Sequence, residues 1–260
     1  MDMRLLVVFQ TLALPLALSF VLLCLTPRSD WQNTLGLLLI WLPSYAWIIG
    51  LPSVPPLEAV DWLWLLGLMM TMTPIINRPF RRQMVQTFVL LMGLVALTWP
   101  VLRYQLTVVL SIELIITGAA GGVLLHRLNR APPASPALTM ATSAGGLAVA
   151  SALAGSLLIG QLAAALAAVT GGFALYELIK RSRETRFSMQ QTALTWVIYL
   201  GLLTIARVYA ELPLGPAVLL GASPLTGLLL PWRYGWFTSL LLAGIALAWI
   251  VLNNSTTSAG

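Results

Sequence analysis

The sequence predicts an all-α polytopic membrane protein, a bundle of about ten transmembrane helices with short loops. Three observations predict it. First, 59% of the residues are hydrophobic and only 8% are charged, against roughly 25% charged in a soluble domain. A surface so poor in charge suits lipid, not water. Second, apolar runs of spanning length recur along the chain, and the longest links, "RLNRAPPASPAL" and "KRSRETRFSMQQ", leave no room for an aqueous domain. Third, most basic residues fall in alternate links, as membrane topology requires. The formal charge of +6 therefore points to a bilayer and its anionic headgroups, and not to nucleic acid.

A spanning helix needs about 20 apolar residues, with a range of ~17–25. On that criterion spans are predicted at 5–26, 34–50, 60–76, 84–102, 106–126, 139–159, 161–179, 192–210, 214–230 and 236–252. Residues 1–252 then form one transmembrane domain, and 253–260 a short polar tail. The first run continues to Leu25, beyond the ~7–15 apolar residues of a signal peptide, so an uncleaved span is expected. The second and third are short. Their link, "LPSVPPLEAV", is expected at the interface because its prolines forbid regular helix. Between Arg130 and Glu177 no residue is charged. One helix over 139–179 would be roughly 60 Å long at ~1.5 Å per residue, twice the ~30 Å of hydrocarbon. It must turn, and Gly160-Gln161 is the expected place. The ninth span carries Pro216 and Pro224 and is expected to kink.

Orientation follows from arginine placement. The odd-numbered links hold Arg28; Arg78, Arg81 and Arg82; Arg127 and Arg130; Lys180, Arg181, Arg183 and Arg186; and Arg233. The other side has Arg4, Arg103 and Arg207. The positive-inside rule assigns the larger set to the cytoplasm and both termini to the extracytoplasmic side. The expected location is a bacterial inner (plasma) membrane. The five arginine-bearing links recur about every two spans, a spacing that any compact bundle of this size produces; "VLLCLTPR" (21–28) and "VLLHRLNR" (123–130) nevertheless align, as an ancestral hairpin repeat would.

Few residues carry chemistry. Glu113 sits among Ile112, Leu114, Ile115 and Ile116. A charge at the centre of a span costs ~2.5–3.5 kcal/mol and is expected to face the bundle interior with a partner. Thr117, Ala120 and Gly121 share its helix face, and small residues let another helix approach. Arg207, at comparable depth on the eighth span, is the expected partner; Gln10 and Ser111 are candidates to join them. Glu211 competes for Arg207 from one turn on. These residues are the candidates for substrate or proton coupling. Glu58, Asp61 and Glu211 cluster at predicted outer ends, as solvated interfacial charge or an acidic vestibule that gathers cations. Lys180, Arg181, Arg183 and Arg186 form an inner basic surface for a partner subunit or anionic headgroups. Glu177 and Arg181 read as an ordinary helix pair. His126, the single histidine, is expected at the headgroups.

Small residues recur four apart: Gly118 and Gly122; Gly146, Ala150 and Ala154; Ala164, Ala168 and Gly172. Such rows bring helices close. No phosphate-binding loop, metalloprotease motif or His-backed nucleophile is evident. The single cysteine, Cys24, excludes an internal disulfide or thiolate cage. No cofactor or metal is expected. Two functions fit: a small transporter or flippase using Glu113 in a helix-lined cavity, or a non-catalytic membrane subunit or scaffold.

Overall fold

The computed structural model describes residues 9–25, 30–56, 58–76, 78–104, 108–128, 135–180, 187–229 and 235–257. Among them ten α-helices form and no strand does. They are α1 (Leu14–Leu25), α2 (Asp30–Ile49), α3 (Asp61–Met72), α4 (Pro79–Tyr104), α5 (Val108–Leu128), α6 (Pro136–Leu153), α7 (Leu157–Lys180), α8 (Met189–Tyr209), α9 (Leu214–Leu229) and α10 (Gly235–Thr257). Among the described residues five stretches are long and apolar enough to cross a membrane: Phe80–Tyr104, Pro136–Leu153, Leu157–Ile179, Met189–Tyr209 and Gly235–Asn253. Thr11–Val21, Thr34–Ile49 and Leu214–Leu228 are apolar but shorter.

Proline accounts for two of the shorter elements. A π-turn, Phe9–Ala13, leads into α1. Pro15 lacks the N–H that would bond back one turn, and the wider turn sits where that bond is missing. The third span, expected over 60–76, is α helix only to Met72. A 3₁₀ turn, Thr73–Ile75, follows, because Pro74 cannot continue the α ladder.

The hairpin between α6 and α7 turns at Ala154–Ser156, not at Gly160-Gln161. Gly155 has φ 92, a conformation that costs glycine nothing and other residues a steric clash. Gly160 lies inside α7, where a Cβ would stand 3.0 Å from the Ala148 carbonyl oxygen. It is a packing glycine, and it lets α7 lie close against α6.

Helix α8 is the axis of the molecule. It packs against α2, α3, α4, α5, α6, α7 and α9, while α1 lies outside on α7 and α2, and α10 outside on α6 and α9. Its membrane-length window is 83% buried, against 28% for α10. Its start is fixed by a capping box: Gln191 N–H donates to Ser188 Oγ at 3.2 Å, and Ser188 N–H to Gln191 Oε1 at 2.7 Å. Such reciprocal bonds satisfy donors that a helix start leaves open. Just upstream, Glu177 of α7 accepts the Phe187 N–H. Glu177 therefore ties two helices together; its expected partner Arg181 lies outside the described residues.

Helix α9 contains Pro224. Without an N–H, Pro224 leaves the carbonyl one turn back, that of Leu220, without its helical donor. Tyr199 of α8 supplies one: its hydroxyl donates to Leu220 O at 2.7 Å. A buried acceptor left unsatisfied costs ~1–3 kcal/mol. Tyr199→Phe is therefore expected to lower thermal stability in detergent by about that amount. In a Pro224→Ala background, where an Ala N–H can take the carbonyl, the same substitution is expected to cost much less. Melting curves of the four proteins check this.

Candidate functional site

Glu113 lies in the second turn of α5 and Arg207 in the last turn of α8. The structure brings them together in a two-pronged pair. Arg207 Nε donates to Glu113 Oε2 at 3.1 Å, and Nη2 donates to Oε1 at 3.0 Å. Two parallel bonds fix the planes of both groups, as single-point lysine pairing would not. A third bond runs from Arg207 Nη1 to the Leu212 carbonyl, at 3.2 Å. That carbonyl is presented by the turn that ends α8. Glu211 takes φ 52, and the Leu212 N–H returns to Ala206 O at 3.2 Å. Glu211 thus shapes the backbone that holds Arg207, while its own side chain is exposed. The pair is only partly shielded: the Arg207 and Glu113 side chains are 32% and 17% exposed.

The pair stands at one end of a cavity of about 470 Å³ bounded by α5, α8 and α9. Among the described residues, Glu113 and Arg207 are the only charged ones on its wall. Thr117, one turn from Glu113, and Thr204, one turn from Arg207, also line it; Leu200, Trp196, Ala120 and Leu225 line the far part. Trp196 is fully buried, and its indole nitrogen has no hydrogen-bond partner among the described residues. The wall residues Ile112, Ile116, Leu214 and Val218 are also strongly exposed, so the cavity opens sideways, between α5 and α9.

The glycines of α5 explain why one stripe both packs and lines a hollow. A Cβ on Gly121 would meet Leu90 of α4 at 2.5 Å and Leu200 of α8 at 3.0 Å; one on Gly118 would meet Leu91 at 2.8 Å. These glycines seat α5 on α4 and α8. Thr117 and Ala120 turn toward the cavity.

The other candidates are dispersed. Gln10 falls in the π-turn, and its side chain lies outside the described residues, as do the Lys180 side chain and all of Arg181, Arg183 and Arg186. Asp61 is expected as solvated interfacial charge or as part of an acidic vestibule; it is buried, 6% exposed. It accepts from Tyr45 Oη at 3.1 Å, from the Ser53 hydroxyl and from the Glu58 N–H at 3.3 Å. It acts as a tie between α2, the proline-rich link and α3. The Glu58 side chain is exposed. Glu211 borders a second hollow of about 550 Å³, with Tyr209, Pro213, Gly155 and Asn253. His126 is half-buried and hydrogen-bonds Gln83 of α4. Among the described residues no three His, Cys, Asp or Glu side chains are grouped to hold a metal.

A second polar cluster escaped the sequence reading. The buried amides of Gln86 and Gln190 lie 2.8 Å apart, with Thr73 Oγ1 3.3 Å from Gln86. Turned to accept, the Gln190 oxygen is 3.1 Å from Arg82 Nε. These residues come from α4, α8 and the 3₁₀ turn, at the end of α8 opposite Arg207. Their signal in the sequence was weak, since glutamine near a span end is ordinary.

No family model, curated protein or solved structure matches the chain.

Proposed function

We propose that this is an integral membrane protein of about ten spans that works as a small transporter or flippase through the α5–α8–α9 cavity. One observation carries the reading: a side-opening cavity with apolar walls and a single two-pronged ion pair at its end. An unpaired charge is costly in lipid, and apolar packing alone would fill this seam more cheaply. The charges that the seam retains, beside a space large enough for a small amphiphile, suit a substrate with one polar end. Five apolar helices of spanning length support a bilayer as its surroundings, and the arginine-rich links support an orientation with both termini extracytoplasmic.

Lipid flipping in proteoliposomes tests the proposal. Fluorescent phospholipid is incorporated into both leaflets, and an impermeant reductant is added outside. Vesicles with protein are expected to lose nearly all their fluorescence, and protein-free vesicles only the outer half. Glu113→Gln is expected to slow the second phase about tenfold, the effect of ~1.4 kcal/mol on a barrier, while the protein remains folded. Equal bleaching with and without protein, together with a companion polypeptide retained at fixed stoichiometry on mild extraction, would replace this reading by that of a membrane subunit.

A further inference from the structure

We infer that the cavity binds a zwitterionic phospholipid, with its phosphate on Arg207, its ammonium on Glu113 and a single acyl chain along α8. The inference rests on the transporter reading above and names the substrate class. Three independent features lead to it.

The first is length. From Arg207 to Trp196 along α8 is roughly 16 Å at ~1.5 Å per residue. That is about half of the ~30 Å hydrocarbon core, the depth of one leaflet. A chain entering between Ile116 and Val218 needs no space beyond its own leaflet.

The second is the order of polarity along the wall. The charged pair comes first. Thr117 and Thr204 follow, one turn deeper on their helices. Apolar side chains and Trp196 close the far end. A phospholipid has the same order: charged headgroup, ester oxygens, hydrocarbon. Hydroxyl donors suit the esters. A simple alkyl cation would leave the threonines without a role.

The third is charge balance. The pair is neutral as a unit, and neither partner is fully engaged. Arg207 uses three of its five N–H donors, two on Glu113 and one on Leu212 O. Each Glu113 oxygen takes one arginine N–H and keeps acceptor capacity. A phosphate oxygen can take the spare arginine donors while an ammonium takes the spare carboxylate capacity. The result is two positive and two negative charges with no change in net charge. An anionic lipid adds an uncompensated negative charge beside Glu113, and a cationic one an uncompensated positive charge beside Arg207. Both are penalised where water is scarce.

The test compares three amphiphiles of identical chain on the full-length protein in a mild non-ionic detergent. They are lysophosphatidylethanolamine, lysophosphatidylglycerol and an alkyltrimethylammonium. Native mass spectrometry gives the dissociation constants. The zwitterion is expected to bind at least about tenfold tighter than either competitor, or ~1.4 kcal/mol. The double variant Glu113→Gln/Arg207→Gln is expected to bind all three alike. Ala222→Phe, which fills the apolar part of the cavity and leaves the pair intact, is expected to weaken all three together and covers the case in which the double variant does not fold. A tighter anionic or cationic ligand, or a zwitterion preference that survives the double variant, overturns this inference. If lipid flipping is intact in that event, the transporter reading stands. Loss of both binding and flipping in the folded protein overturns both.

Discussion

Gly227→Val is expected to be among the most destabilising single substitutions in this chain, and Gly235→Val its equal. The two glycines face each other where α9 and α10 converge. A Cβ on Gly235 would stand 2.4 Å from the Gly227 carbonyl oxygen; one on Gly227 would stand 2.8 Å from the Gly235 oxygen, 2.3 Å from Ser239 Oγ and 2.5 Å from Thr139 Cγ2. The atoms met from Gly235 are all backbone and cannot swing away as a leucine tip can; two of the three met from Gly227 belong to the short, fully buried side chains of Ser239 and Thr139. The same crossing holds a serine cluster. Ser143 Oγ is 2.9 Å from Ser223 Oγ, Ser223 donates to Ser239 O at 2.9 Å, and Ser239 donates to Ser223 O at 2.7 Å. Forcing the helices apart breaks these bonds as well as the packing. Overpacking alone costs ~1–3 kcal/mol, and each stranded buried hydroxyl ~1–3 kcal/mol more. Controls lie in the same helices and their neighbours: a Cβ on Gly145 or Gly244 meets nothing within 4 Å. Alanine there is expected to leave the melting temperature unchanged or slightly raised, because it favours helix by up to ~1 kcal/mol. Thermal denaturation of the four variants in one detergent gives the comparison. A Gly227→Val protein that melts with the wild type would show that the α9–α10 approach is not what holds these helices together.

The helices and the site were legible in the sequence to different depths. Hydropathy marked a run over each helix of the described residues, five of them long and apolar enough to cross a membrane. It could not fix the α6–α7 turn. Gly155 and Gly160 are both glycines in one apolar stretch, and what separates them is a backbone angle and a neighbouring carbonyl. The Glu113–Arg207 contact was within reach because charges are scarce: few cations share the depth of that carboxylate. The cavity was not. In lipid the outward face of a helix is as apolar as its packed face, so Leu214, Val218 and Ala222 read alike whether they face a cavity, a helix or the bilayer. Asp61 misled for a related reason. At a helix start, near prolines, an aspartate looks like surface charge, and only the fold brings Tyr45 and Ser53 to it. The Gln86–Gln190 amide contact joins residues far apart in sequence, which no local pattern records.

Arg207→Met is expected to destabilise the protein strongly, and Glu113→Leu in the same chain to restore most of the loss. The single variant removes three hydrogen bonds at once: two to Glu113 and one to the Leu212 carbonyl. It leaves a carboxylate in an apolar cavity with no cation among its described neighbours. Removing one partner of a buried pair costs ~3–5 kcal/mol; the partial exposure of this pair puts the expected loss nearer ~2–3 kcal/mol. The double variant strands no charge, and replacing a buried pair by apolar side chains is often neutral. Only the Leu212 carbonyl then lacks its donor, a residual ~1 kcal/mol. The four melting temperatures form a cycle whose coupling energy measures the pair. A coupling near zero would mean that the two groups contribute to stability independently despite their contact. The same four proteins separate structure from function. If the pair only holds α5 to α8, the double variant is stable and flips lipid like the wild type. If the charges also receive a headgroup, it is stable and inactive. That outcome is expected here, because the pair lies on the wall of a cavity and not in a sealed helix contact.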